Sequence, residues 1–286
     1  MVKRRKKKSK LADVWKQLKK NKIAVVALFV IVVVILVAVL APLLAPYPFD
    51  QQDPLHPFAA STKEHWLGTD RLGRDVLSRL IYGANQSLQV GTISTGIAAV
   101  AGIIIGAVAG YYGGWKDNLI MRLLDIYQSI PMFLLCVTLA AVLGPSLRNA
   151  VIAIGVGSVP GFARLMRASI LSVREMEYIE AAKSINAKNR RIILKHIIPN
   201  AISPLIVSIT MGIGSSALAG AGLSFIGLGV QPPIPEWGAM ISDARNFMRE
   251  HGTLALYPGI CVMITVLAFN LLGDGLRDAL DPRLKN

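Results

Sequence analysis

Residues 175–204 read EMEYIEAAKSINAKNRRIILKHIIPNAISP and form a polar island between two long apolar blocks. Apolar residues recur within this stretch at three- and four-residue spacing, at Tyr178, Ile179, Ala182 and Ile185. Such a period collects side chains on one face of a helix. The stretch therefore predicts a helix with an apolar face that can dock on a protein.

The same helix carries residue types that suit a docking joint. Ala181 and Ala182 leave the backbone bare enough for a partner's groove to close on it, and Glu180 offers a charged anchor. Asn186 can take a positive φ, because Asn enters that region more readily than other non-glycine residues. Pro199 suits the first turn of the next helix, where its missing N–H costs nothing. The plainer alternative is a helical hairpin that touches only lipid headgroups.

The composition predicts a membrane protein. Of the 286 residues, 53% are hydrophobic, the mean hydropathy is +0.51, and several windows of about twenty residues are apolar. The net charge of +14 does not indicate nucleic acid, because 11 of the 31 Lys and Arg residues lie in the first 22 positions, directly before an apolar span. Cys136 and Cys261 both lie in apolar spans, so the sequence offers neither a disulfide framework nor a Cys-x-x-Cys metal site.

Six apolar windows predict an all-α integral membrane protein with six transmembrane helices. The windows cover residues 23–44, 88–112, 123–143, 150–163, 201–223 and 254–272. With the N-terminus inside, the inner segments hold 24 of the 31 Lys and Arg residues and the outer segments hold 7. The positive-inside rule then puts both termini and residues 175–199 in the cytoplasm.

These spans define the expected organisation. A basic cytoplasmic N-terminus at residues 1–22 precedes the first span at residues 23–44 and an extracytoplasmic loop at residues 45–87. Residues 88–272 form a five-helix core with a cytoplasmic loop at 166–200, and residues 273–286 form a cytoplasmic C-terminus.

Small residues at four-residue spacing occur in two spans, at Gly102, Gly106 and Gly110 and at Ser216 and Gly220. This spacing lets helix backbones approach closely in lipid. The fifth span also offers candidate pathway-lining residues, namely Ser208, Thr210, Ser215 and Ser216. For these four, packing between helices is the competing interpretation.

Four further positions carry expectations of their own. Pro160 predicts a kink in the short fourth span. Val76, Leu77, Leu80 and Ile81 make an apolar stripe that suits a helix lying in the outer interface. Asp274 is placed to cap a short C-terminal helix. Asp125 is the only carboxylate inside a predicted span, and an ion pair, a gate-side hydrogen bond and a substrate contact would each explain it.

The stretch quoted first resembles the signature loop of ATP-binding-cassette (ABC) importer permeases. In that loop Glu-Ala-Ala is followed after three residues by Gly, after nine more by Ile, and after one more by Leu-Pro. The matching positions are Glu180, Ala181, Ala182 and Pro199. The departures are Asn186 for Gly, His196 for Ile and Ile198 for Leu.

Further runs narrow the resemblance to the dipeptide and oligopeptide permease branch, and within it to the second, C-type subunit. These runs are residues 65–84, 113–125, 223–233 and 270–282. The similarity extends from about residue 16 to the last residues of the chain. Asn85 stands where that branch is expected to carry Arg.

The resemblance implies a type I ABC importer permease fold and alternating access in the plasma membrane of a bacterium or archaeon. The implied partners are a homologous permease in a heterodimer, two cytosolic ATPases, an external peptide-binding protein and membrane lipid, but no nucleic acid. Coupling to the ATPases is implied for Tyr178, Glu180, Ala181, Ala182, Asn186 and Pro199. The implied cargo is a di- or oligopeptide. A nickel chelate and a glutathione-like solute remain open as alternative cargoes. A membrane scaffold or sensor that transports nothing remains open as an alternative function.

The sequence carries no catalytic signature. It has no Gly-Lys pair and hence no phosphate-binding loop, so ATP and Mg²⁺ are expected on partner subunits and no cofactor in this chain. All four His residues lie outside the predicted spans, and no His-Glu-x-x-His run occurs. Ser158 lies in a span, but no spanning His is present to activate it. We therefore expect neither an enzyme nor a metal site.

Overall fold

The computed structural model describes residues 10–280, and every regular element in that range is helical. The ends of the predicted terminal segments, residues 1–9 and 281–286, lie outside the described residues. The first helices are α1 (Lys10–Leu18), α2 (Lys22–Val39) and the single turn α3 (Ala41–Leu44). Asn21 caps α2, because its Oδ1 accepts a hydrogen bond from the Ala24 N–H at 3.1 Å.

Helix α4 (Val76–Tyr112) has 37 residues and is about 55 Å long at 1.5 Å per residue, well beyond the roughly 30 Å hydrocarbon core of a bilayer. It begins where the Asp75 Oδ2 accepts a hydrogen bond from the Ser78 N–H at 2.7 Å. The interfacial helix expected at residues 76–81 is therefore wrong. Those residues form the first turns of α4, and Val76 and Leu80 are buried in a cluster with α2, α12 and α13 instead of facing lipid.

The third predicted span, residues 123–143, is not one straight helix. It is divided between α5 (Gly114–Gln128) and α6 (Met132–Leu143), which meet at an angle of 80°. Pro131 stands at the break, where it removes a backbone donor and disfavours helical geometry at the preceding residue. Within residues 10–280, five helices are long and apolar enough to cross a membrane, or six if the bent pair counts as one span.

Helix α7 (Leu147–Arg174) runs on through Pro160 and past the predicted end of the fourth span. Residues 166–174 of the expected cytoplasmic loop therefore belong to this helix. The chain continues through α8 (Glu177–Ser184), α9 (Asn189–Arg191), a π-helical turn (Ile192–Ile197) and α10 (Ile198–Ala201) into α11 (Ser203–Phe225).

The last elements are α12 (Trp237–Ala244), a 3₁₀ turn (Arg245–Phe247) and α13 (Thr253–Leu280). The expectation that Asp274 caps a separate C-terminal helix is wrong, because α13 continues through that residue without interruption. The end of α13 packs against α1 and α2. A Cβ added to Gly275 would lie 2.2 Å from the Ala24 Cβ, so only a glycine fits there.

The predicted glycine face is the contact between α4 and α7. A Cβ on Gly102 would lie 2.4 Å from the Phe162 Cβ, and one on Gly106 would lie 2.4 Å from the Ala163 carbonyl oxygen. Such distances mean that the two backbones touch, as small residues allow in a membrane.

Buried charges hold the outer segment against the start of α4. Arg74 donates from Nε to the Asp70 carboxylate at 2.6 Å and lies 3.6 Å from the Asp243 carboxylate. Arg79 donates to the Pro233 carbonyl at 3.3 Å and lies 3.6 Å from Asp70. Both arginines are only 3% exposed. We call Asp70, Arg74, Arg79 and Asp243 the outer brace, because they join the outer loop, α4 and α12.

Candidate functional site

The candidate coupling segment, residues 175–199, is anchored to the ends of two long helices. Arg174, the last residue of α7, donates to the Gly110 carbonyl at 3.1 Å near the end of α4. The Tyr111 hydroxyl, also in α4, donates to the Asn189 Oδ1 at 2.8 Å. Only Glu175 and Met176 separate α7 from α8. The segment is therefore attached to the α4–α7 pair at its start and again at Asn189.

The apolar face predicted for α8 is divided in the structure. Ile179 is fully buried and Ala182 is 8% exposed, and both pack with Met166, Ile170 and Leu205 inside this chain. Ala182 therefore lies inward instead of on the free surface of the segment. The periodicity correctly grouped these residues, but the inner half of the face is covered by the chain itself.

The free surface of α8 contains Tyr178, Glu180, Ala181 and, just beyond the helix, Ile185. Tyr178 is 41% exposed and Ile185 is 79% exposed. Tyr178, Ala181 and Ile185 are spaced three and four apart and so share one side. This side presents a small residue between two apolar ones, next to the carboxylate of Glu180.

Asn186 ends α8 with the positive φ that its residue type predicts. Its φ is 54°, and its N–H donates to the Lys183 carbonyl at 2.8 Å. The Ala187 N–H donates to the Ala182 carbonyl at 3.1 Å. These two bonds form a Schellman motif, which satisfies the last carbonyls of a helix and reverses the chain. Asn186 thus separates α8 from α9 at a defined angle.

Pro199 lies in the first turn of α10, as predicted. The preceding turn, Ile192–Ile197, is π-helical, and the Ile198 N–H donates to the Ile193 carbonyl five residues earlier. A proline ring clashes with the carbonyl four residues before it in a regular helix. The wider π turn relieves that clash, so the chain enters α11 as a nearly continuous helical rod.

Two ion pairs fasten α5 to α7. The Arg167 guanidinium donates two hydrogen bonds to the Asp117 carboxylate, both at 2.6 Å. The Arg164 NH2 group donates to the Asp125 Oδ1 at 2.6 Å. Of the alternatives for Asp125, the structure thus supports an ion pair. A bidentate Arg–carboxylate pair adds geometric specificity as well as energy, so α5 is held in a defined orientation.

A cavity of about 470 Å³ lies at the bend between α5 and α6. Its other walls come from α7 and α11. The lining residues are Tyr127, Gln128, Ile130, Pro131, Met132, Leu135, Gly157, Ser158, Gly161, Phe162 and Ser208. The polar members are uncharged, and they can exchange hydrogen bonds with neutral groups of a solute.

The four candidate pathway residues lie in different surroundings. Ser208 lines the cavity at the bend and also a second cavity of about 530 Å³, which extends to Asn200 and Arg277. Ser216 is buried and accepts a hydrogen bond from the Thr95 hydroxyl at 3.0 Å, so it joins α11 to α4. Thr210 and Ser215 are more exposed, and each hydroxyl donates to a carbonyl one turn earlier in α11.

Sequence reasoning missed the residues from α5 and α7 that line the cavity at the bend, above all Tyr127, Gln128 and Ser158. The Tyr127 hydroxyl is buried and has no hydrogen-bond partner among residues 10–280. Two signals could have located this site: Pro131 interrupts an apolar run, and Gly157 and Gly161 recur at four-residue spacing in the span opposite.

Comparison with known protein families gives two matches that together cover most of the chain. Residues 102–286 match the family described as binding-protein-dependent transport system inner membrane component. Residues 9–60 match the N-terminal TM domain of oligopeptide transport permease C.

Curated relatives match almost end to end. The dipeptide transport system permease protein DppC of Alkalihalophilus pseudofirmus is 48% identical over 96% of this chain and 90% of its own length. The glutathione transport system permease protein GsiD is 41% identical in Pectobacterium atrosepticum, over 96% of this chain and 91% of its own. The Escherichia coli protein of the same name is 42% identical, over 96% and 90%.

Solved structures share the fold at low identity. An inward-facing form of the MetNI methionine ABC transporter matches 71% of this chain and 97% of its own, with a TM-score of 0.59 and 19% identity. An amino acid ABC transporter matches 69% and 92%, with a TM-score of 0.53 and 16% identity. The chain therefore belongs to the family of binding-protein-dependent transport system inner membrane components and is a permease subunit of an ABC importer.

Proposed function

We propose that this subunit forms one half of a pathway that imports di- and oligopeptides delivered by an external binding protein. The other half is a homologous permease, which makes the pair a heterodimer. Two cytosolic ATPases bind ATP and Mg²⁺ and contact residues 175–199. Both termini of this chain lie in the cytoplasm, in keeping with the excess of Lys and Arg on that side.

The observation that carries the coupling role is the continuity between α8 and the cavity. Helix α7 contributes Gly157, Ser158 and Gly161 to the cavity wall and runs without a break to Arg174. Helix α8 follows after two residues and exposes Tyr178 and Ala181. A push on α8 by an ATPase therefore tilts α7, and with it one wall of the cavity, as one rigid piece.

The cavity at the bend supports peptide as cargo. Its polar lining residues, Tyr127, Gln128, Ser158 and Ser208, carry amide and hydroxyl groups but no charge. Such groups pair with the backbone amides that all peptides share. Each neutral hydrogen bond contributes only about 0.5–1.5 kcal/mol, so a peptide is held weakly and released. The binding protein, not this subunit, then sets the selectivity among side chains.

Reconstitution of the complete importer in proteoliposomes tests the proposal. We expect uptake of a labelled dipeptide that requires ATP and the binding protein, together with peptide-stimulated ATP turnover. Glu180→Lys should abolish the link between turnover and uptake. Glu64→Lys, at an exposed position in the outer loop, is the matched control and should transport normally. A complex that binds the ATPases but takes up no solute would instead favour the scaffold or sensor alternative.

A glutathione-like cargo is the second candidate, because glutathione permeases are among the relatives at 41% and 42% identity. The second cavity, which Ser208 also lines, includes the exposed cation Arg277, which can pair with a carboxylate. Competition of labelled dipeptide uptake by glutathione in the same proteoliposomes distinguishes the two. A nickel chelate is tested in the same way. Strong inhibition by either solute would add it as a candidate cargo, whereas uptake of labelled glutathione or nickel chelate without any uptake of dipeptide would replace peptide as the proposed cargo.

A further inference from the structure

A narrow apolar groove lies between α2 and α13, away from the cavity at the bend. Its volume is about 340 Å³. The lining residues are Lys22, Ile23, Val26, Ala27, Val30, Ile264, Leu267, Ala268 and Leu271. Lys22 is the only charged residue among them. The groove thus has an apolar body and a cation at one end.

The shape of the groove follows from small residues. Ala27 and Ala268 lie almost fully buried where the two helices face each other. At one end of the groove, Gly275 meets Ala24 so closely that the helices touch. From Lys22 to Val30 the groove is about 12 Å long at 1.5 Å per residue, which fits most of the length of one acyl chain.

Basic residues cluster near Lys22 in the sequence. Among the residues that the structure describes, Lys22 makes no ion pair. Lys19 and Lys20 lie three and two residues before it and are exposed, and the Lys19 ammonium lies 5.1 Å from the centre of the Trp15 ring. A tryptophan beside lysines at the end of a membrane helix is typical of the headgroup region.

Helix α1 holds these side chains at the mouth of the groove. Its Leu18 is buried in a cluster with Ala24 and Ala279, which joins α1 to the ends of α2 and α13. Trp15, one turn before Leu18, is 47% exposed, and Lys19, just after the helix, is exposed as well. Both side chains are therefore free to contact a ligand beside α1.

From this geometry we propose that the groove binds an anionic phospholipid. One acyl chain lies along Val26, Val30 and Leu267, and the phosphate lies at Lys22 with Lys19 nearby. A basic residue at the mouth of an apolar cleft between membrane helices suits an anionic headgroup. The proposal does not depend on the transported solute, because no residue of this groove lines the cavity at the bend.

Native mass spectrometry of the intact importer tests the proposal with phosphatidylglycerol and phosphatidylcholine of the same acyl composition. We expect the wild type to retain phosphatidylglycerol in preference to phosphatidylcholine. Lys22→Gln should weaken that retention about fivefold, the factor for loss of one basic residue near an anionic surface. Lys116→Gln removes an exposed lysine that stacks on Tyr112 instead, and should leave retention unchanged.

A second pair of variants tests whether the acyl chain of the lipid lies in the groove. Val26→Trp fills the groove and should abolish retention, whereas Val32→Trp, on the same helix but outside the lining, should not. Equal retention of the two lipids by the wild type would overturn the proposal. So would unchanged retention in Lys22→Gln, displacement of the lipid by inorganic phosphate, or an importer structure in which a helix of the partner permease fills the groove.

Discussion

The two ends of α4 lie in contrasting surroundings. At its start, the outer brace buries Arg74 and Arg79 beside carboxylates, so polar groups there are satisfied within the chain. At its end, α4 supports a coupling segment whose Tyr178 and Ile185 remain exposed. The start of α4 is therefore covered within the chain, whereas its end carries a segment with exposed apolar side chains, which are typical of a surface that binds another protein.

The difference indicates where this subunit is rigid and where it accepts force. A buried ion network is held in one arrangement, because separating its charges leaves a desolvated ion without a partner. An exposed helix of eight residues has no such constraint on its outer side, but α8 is fixed to the body through Ile179 and Asn186. The proposed coupling role requires the segment to move as a unit, and these two contacts support that requirement.

The largest effect on stability is expected from breaking the outer end. Asp70→Ala leaves Arg74 and Arg79 buried without their shared carboxylate, which should lower the free energy of unfolding by about 3–5 kcal/mol. Thermal unfolding of the purified importer in detergent measures it. Asp53→Ala removes a half-exposed carboxylate that pairs with His56 and serves as control. Equal unfolding temperatures for both variants would show that the brace is not rigid.

Ala181 and Ala182 are adjacent in α8 but face opposite environments, so substitutions there test docking and internal packing separately. Ala182→Trp forces a large side chain into the cluster around Ile179 and should cost about 1–3 kcal/mol of folding stability. Ala181→Trp lies on the free side, so the protein should stay stable but bind the ATPases poorly. Unfolding temperature and co-purification of the ATPases are the two readouts. If Ala181→Trp retains the ATPases as the wild type does, Ala181 does not belong to the surface that docks on them.

Asn186 tests whether the end of α8 is fixed by backbone conformation. Its φ of 54° favours Asn or Gly, so Asn186→Gly should be neutral, whereas Asn186→Val should cost about 1–2 kcal/mol. Dipeptide uptake and unfolding temperature should rank the variants in that order. Identical behaviour of Gly and Val would mean that the helix continues through this position in the working protein.

The smallest effect on stability is expected from a substitution in the cavity at the bend, at Tyr127. Tyr127→Phe removes a buried hydroxyl without a partner among the described residues, so stability should change by less than about 1 kcal/mol. Uptake should nevertheless fall if the hydroxyl meets a peptide during passage. Thr265→Val removes the other such hydroxyl, which lies in an apolar region of α13, and should leave uptake intact. Matching uptake by both variants would remove Tyr127 from the pathway.

Much of the architecture follows from the sequence alone. Hydropathy identified the apolar spans, and the signature loop with its flanking runs identified the family, because these signals depend on local composition and order. The positive φ of Asn186 followed from its position at the Gly of the signature loop, because Asn can adopt the same backbone conformation. The first-turn position of Pro199 followed from residue type, since a proline at that position loses no hydrogen bond. Glycine spacing correctly indicated the close contact of α4 with another helix.

The features that the sequence did not predict depended on packing between distant parts of the chain. Periodicity groups Tyr178, Ile179 and Ala182 on a helix, but the side that becomes buried is decided by α7 and α11, which are remote in sequence. The third span is expected to be one helix, whereas the structure bends it by 80° near Pro131 and closes the cavity there with walls from α7 and α11. Asp125 pairs with Arg164, 39 residues away, because α5 and α7 meet there. Local order determined which residues can share a helix face, and only the tertiary structure decided what each face touches.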